Sequence, residues 1–79
     1  MQELLTGAHK VVGVKQTKKA IKEGKARKVY IALNCDILIR DEITNLSKQA
    51  SVPVIEVTTM QELGRACEIQ VGAACAAIL

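Results

Sequence analysis

A glycine that leads straight into a lysine-rich stretch, Gly13-Val14-Lys15-Gln16-Thr17-Lys18-Lys19, is the part of this sequence best equipped for chemistry. A helix N-terminus presents unpaired backbone N–H groups and roughly half a positive charge, which suits a phosphate. Lys15 and Lys19 are one helical turn apart, so both can be directed to that end. Gln16 adds an amide that donates and accepts at a base edge, and lysine donates to guanine O6 and N7. A positive helix end carrying base-reading side chains fits a nucleic-acid groove. The stretch has neither the GxxxxGKS/T loop of ATPases nor the GxGxxG of dinucleotide folds, so it does not point to nucleotide hydrolysis or hydride transfer.

The surrounding charge agrees with a polyanionic partner. Eight of the eleven Lys and Arg residues lie between Lys10 and Lys28, where Glu23 is the only acid. The other three, Arg40, Lys48 and Arg65, are outnumbered by seven acids, although the chain as a whole carries +3. A sequence polarised in this way is expected to fold with one strongly positive pole. A solvated lysine helix is the plainer reading. Like charges at helical spacing, however, repel by a few tenths of a kcal/mol per pair, a cost that solubility alone does not require.

Other chemistries find little support. Cys35, Cys67 and Cys75 are an odd number with no CxxC spacing, and residues near Met1 lack a signal peptide's cationic start and apolar run. A reduced, cytoplasmic protein with thiols acting as small buried hydrophobes is the simplest expectation. His9 with the three cysteines lacks the close-spaced ligand pair that anchors a structural zinc, and nothing in the sequence suggests a lowered thiol pKa. No cofactor or metal is expected. Tyr30 is the sole aromatic residue, which excludes RNA modules that stack bases on an aromatic sheet. No run approaches the roughly 20 apolar residues that span a bilayer.

Seventy-nine residues, 49% of them hydrophobic, are enough for one domain over residues 1–79. Leu4, Leu5 and Ala8 suggest a first helix feeding a short strand through Val11 and Val12 to Gly13. Lys15 to about Glu23 reads as a helix with Ala20 and Ile21 inward and Gly24 as its left-handed stop. The unbroken apolar run Val29–Leu33 reads as a strand buried on both faces. Ile39, Ile43, Leu46 and Ala50 mark one face of a helix ending near Ser51. Pro53 opens a strand through Val57, Thr59 and Glu62 form a capping box, and Met60, Leu63 and Cys67 face inward on the last helix. Ala73–Leu79 closes the chain as a strand. Such alternation predicts a three-layer α/β/α sandwich around a four-stranded mixed sheet, with a right-handed parallel crossover between Val29–Leu33 and Val54–Val57.

Together, Gly13–Lys19 and Leu63-Gly64-Arg65-Ala66-Cys67-Glu68-Ile69-Gln70-Val71-Gly72-Ala73 resemble the kink-turn-binding superfamily of ribosomal proteins of the L-seven-Ae and L-thirty-e type. The small bacterial YbxF and YlxQ branch is the nearest in detail, and the resemblance runs over essentially the whole chain. It implies the same sandwich and a non-enzymatic, monomeric protein that binds kinked RNA with tandem sheared G·A pairs, in ribosomal RNA or a riboswitch. By position, it implies that Gly13 allows close backbone approach, that Lys15, Gln16 and Lys19 contact bases and phosphates, and that Ile69, Gln70 and Val71 form an apolar loop over the bend. It also puts Asp36 in the pocket of a flipped-out nucleotide; capping the following helix is the other reading. Ile69 and Val71 have a plainer reading too, as core residues at a helix end.

Three departures stand out. Lys15-Gln16 replaces the Asn-Glu of archaeal and eukaryotic members, which removes an acceptor for guanine N–H groups. Glu68 replaces a glycine and must avoid or tolerate positive φ. Arg40 stands where several relatives carry an aliphatic residue. Two rival readings predict other behaviour: a structural ribosome-associated protein that binds any structured RNA, and a small thiol enzyme.

Overall fold

The computed structural model describes residues 9–79; the helix expected around Leu4–Ala8 lies outside them. Within the described residues, four strands and three helices alternate: β1 (Lys10–Val12), α1 (Val14–Lys22), β2 (Lys28–Ala32), α2 (Ile37–Gln49), β3 (Val54–Val57), α3 (Met60–Ala66) and β4 (Cys75–Ile78). The sheet order is β1-β4-β2-β3. Of the paired neighbours, only β2 and β3 are parallel, joined by the α2 crossover, and β4 is antiparallel to both of its neighbours. The mixed four-stranded sheet of the sequence reading is therefore present.

Residue alternation along the strands divides the core into two layers. Tyr30, Ala32 and Ala76 face α3 with Leu63, Ala66 and Cys67. Val29, Ile31, Cys75 and Ala77 face α1 and α2 with Ala20, Ile21 and Ile43. β4 occupies an inner position and carries only Ala and Cys before Ile78, so helices can approach it closely from the α1 side. Its small residues serve packing rather than turn formation.

The three described helices stop with the same backbone device. Gly24 (φ 71°), Ser51 (φ 58°) and Glu68 (φ 65°) each adopt the left-handed conformation one residue past the C-cap. The next residue's N–H then reaches back to a carbonyl of the last turn: Lys25 to Ala20, Val52 to Ser47 and Ile69 to Gly64. Gly24 was legible as a stop; Ser51 and Glu68 perform the same turn with a side chain attached.

Some boundaries differ from expectation. β2 ends at Ala32, and Leu33 is partly exposed rather than inside a strand. α2 begins at Ile37 and ends at Gln49, so Ala50 is its exposed C-cap, and Ser47 instead takes the buried place near that end. β4 starts at Cys75, because Ala73 is drawn aside by a bond from its N–H to the Met60 carbonyl.

Candidate nucleic-acid interface

The strand directions decide which loops meet. β1, β2 and β3 all end, and β4 begins, at one edge of the sheet. Gly13, the Leu33–Asp36 turn, Thr58–Thr59 and the Cys67–Ala74 loop therefore open on that edge. Gly13, Lys15, Gln16, Asp36, Gln70 and Val71 are all brought to it from far apart in sequence.

At its centre, Gly13 has φ 104° and ψ 160°, a conformation essentially reserved for glycine. Its N–H donates to the Cys75 carbonyl at 2.9 Å, and its carbonyl accepts from Thr17 N–H to start α1. The space where a Cβ would stand is open, with no heavy atom within 4 Å. α1 has neither a side-chain cap nor an acidic residue in its first turn, so nothing on the helix offsets its positive end. Thr17, Ala20 and Ile21 turn inward, leaving Lys15, Gln16 and Lys19 exposed on the outer face. Lys19 stands one turn behind the tip. Lys18 is drawn aside by Glu42 of α2, with 2.9 Å between Nζ and Oε1. That ion pair ties two helices that run parallel from the same edge.

Asp36 caps α2: its Oδ1 accepts from Leu38 N–H at 2.8 Å. The capping reading thus holds, and the carboxylate remains exposed at the edge. The loop after α3 splits in the way its backbone demands. Glu68 takes positive φ, Ile69 folds back and packs half-buried on the α3 core layer, and Gln70 and Val71 point outward. The core reading therefore describes Ile69, whereas Val71 is 71% exposed.

Two contacts at the edge could not be read from the sequence. Met60 N–H donates to Asn34 Oδ1 at 2.7 Å, and the Met60 carbonyl accepts from Ala73 N–H at 3.0 Å. This one peptide pair joins the Asp36 turn to the Val71 loop. The second feature is Gly64, on which the loop lies so closely that a Cβ there would overlap the Val71 carbonyl oxygen. A third, the exposed pair Ile37 and Leu38, could have been found from an apolar doublet directly after a helix cap.

Burial pushes the Cys35, Cys67 and Cys75 thiols above their ordinary range; Arg40 offsets this partly at Cys35, and Lys10 at Cys67. Thiols held protonated are poor nucleophiles at neutral pH. Among the described residues, no three His, Cys, Asp or Glu side chains gather to hold a metal ion, and no helix is long and apolar enough to cross a membrane.

Comparison with known proteins finds relatives that match nearly the whole of this chain. Residues 2–79 match the model of the "Ribosomal protein L7Ae/L30e/S12e/Gadd45 family". An RNA-binding protein of Geobacillus sp. (strain WCH70) is 47% identical over 78 residues, covering 99% of this chain and 95% of that protein. The RNA-binding protein YbxF of Geobacillus stearothermophilus is 45% identical over 78 residues with the same coverage. Among solved structures, the Giardia lamblia 15.5kD RNA binding protein superposes with a TM-score of 0.83 at 30% identity, over 89% of this chain and 59% of that one.

Proposed function

Since this chain belongs to the ribosomal protein L7Ae/L30e/S12e/Gadd45 family, we propose that it is a non-enzymatic, cytoplasmic RNA-binding protein that recognises kink-turn RNA as a monomer. The observation that carries the proposal is the meeting of the bare, basic start of α1 and the outward Gln70–Val71 loop on one sheet edge. The names of its relatives supply the class of ligand.

In this reading the α1 N-terminus receives a phosphate over the open space at Gly13. Lys15 and Gln16 read base edges in the widened groove, Lys19 contacts a phosphate, and Val71 with Gln70 covers bases exposed at the bend. Ile69 supports that cover from below, and Asp36 borders the place of an extruded nucleotide. Replacing an acid by Gln16 leaves one carbonyl acceptor for guanine, so charge carries more of the affinity than base reading does. Binding selects the kinked conformer, and the population shifts by the difference in affinity between bent and extended RNA.

Competition binding on an intact kink-turn RNA and on one with its sheared G·A pairs disrupted tests the assignment. Lys19→Ala is expected to weaken binding and to lower the slope of log affinity against log salt by about one, the signature of a lost phosphate contact. Gln16→Ala is expected to reduce the preference for the intact RNA while leaving that slope unchanged. Equal affinity of the unmodified protein for both RNAs would replace this reading with general binding to structured RNA.

A further inference from the structure

Folding divides the basic stretch that the sequence presents as one pole. Lys15 and Lys19 stay near the candidate interface, but α1 then runs away from that edge, and the chain re-enters the sheet at the opposite one. Lys10 and Lys28 begin β1 and β2 there, both in register with Ile78 on the strand between them. Their Cα atoms are thus two strand spacings, about 10 Å, apart on one rung. By alternation both side chains share the sheet face of Val12 and Tyr30. Lys22, Lys25 and Arg27 surround the turn into β2, and α2, starting at the interface edge, brings Lys48 to this end in its last turn.

Five of these six cations are exposed and Lys10 is half-buried. Of these six, only Lys25 has a carboxylate partner among the described residues, Glu23 at 3.3 Å. Helix C-termini account for Lys22 and Lys48, which sit in last turns. They do not account for Lys10, Arg27 or Lys28, which lie outside helices. Among the described residues, the far edge also differs from the interface edge in carrying no large exposed apolar side chain. The large exposed apolar residues Leu33, Ile37, Leu38 and Val71 all follow the strand ends or precede β4 on the interface side. A protein partner usually needs a buried apolar or aromatic anchor, and stable membrane attachment needs an inserted group beside the charge. Charge without such an anchor among the described residues fits a sugar–phosphate backbone.

We propose that the far edge, centred on Lys10, Arg27 and Lys28 with Lys48 at the same end of the fold, is a second RNA-binding surface that holds the backbone of a separate duplex segment without reading its sequence. The protein then bridges two RNA elements, one at each end of the sheet. This rests on the preceding reading only in taking RNA as the ligand.

The test loads the full chain with unlabelled kink-turn RNA and titrates a fluorescent plain RNA duplex at about 100 mM salt. A ternary complex is expected. Arg27→Glu/Lys28→Glu should weaken duplex capture by roughly tenfold or more and lower its salt slope by about two, with kink-turn affinity held within about twofold. Lys48→Glu, on a different element, should weaken capture alone, and Lys15→Glu should act on kink-turn binding instead. The proposal is overturned if no ternary complex forms, if capture ignores the far-edge variants, or if it depends on Lys15. Far-edge-dependent binding to phosphatidylserine vesicles without duplex capture would also overturn it. Far-edge-dependent duplex capture by a protein that fails to distinguish intact from disrupted kink-turn RNA would sustain this surface and remove the kink-turn reading.

Discussion

Gly64 sits inside α3, where glycine is ordinarily about 1 kcal/mol worse than alanine. Helix propensity alone would make Gly64→Ala stabilising. Close approach reverses the sign, because the added methyl would enter the space of the Val71 carbonyl and press on Gly72. Overpacking against backbone costs about 1–3 kcal/mol, so the variant is expected to lose stability in urea denaturation and to shift the Gln70–Val71 loop. A gain in stability would show that the loop yields freely. Sequence alone displayed this glycine within a motif, but not what it touches, since the contact is made by a residue seven positions later. Gly13 was more readable: a glycine between a strand and a helix announces an unusual turn, and φ 104° confirms the demand. Glu68 shows the opposite case. The family resemblance marked it as a residue that must avoid or tolerate positive φ, and the side chain tolerates φ 65° because the Ile69 and Gly64 backbone bond closes the helix around it.

At the level of elements, the apolar periodicity located every described helix and strand, since buried faces leave a repeating trace in sequence. It misplaced Ala50 and Leu33, residues just past an element's end, where hydrophobicity no longer reports burial. What it could not show is how elements are tied together at the interface. Asn34 is a polar residue in a turn by sequence, yet its side chain holds the first N–H of α3 while Thr59 Oγ1 accepts from Glu62 N–H. Asn34→Ala removes one bond to a helix N-terminus, so a global loss of about 1 kcal/mol is expected. The sharper readout is amide hydrogen exchange. Met60 and Ala73 should exchange faster, with the β2–β4 ladder unaffected. Uniform acceleration across the sheet would mean that Asn34 supports the whole fold rather than the junction between the Asp36 turn and the Val71 loop.

For the molecule as a whole, the sheet order matters more than any single motif. Placing the last strand between β1 and β2 makes β1 and β2 parallel and sends both following helices away from one edge, with their N-termini side by side. The same order carries the loop before β4 back to that edge, so two stretches some fifty positions apart in sequence become one surface. Neither composition nor periodicity encodes that juxtaposition; the family resemblance anticipated it, and the strand register supplies its physical cause. Charge was legible as an amount but not as a layout, because α1 transports half of the basic stretch across the sheet. The central claim is that the interface edge selects a kinked RNA. Energy transfer between fluorophores on the two arms of a kink-turn RNA measures this most directly, beside the same RNA with its sheared G·A pairs disrupted, at about 100–200 mM salt. The account predicts that added protein raises transfer in the intact RNA and leaves the disrupted one extended. An equal response from both RNAs, or binding to both without bending, would contradict it.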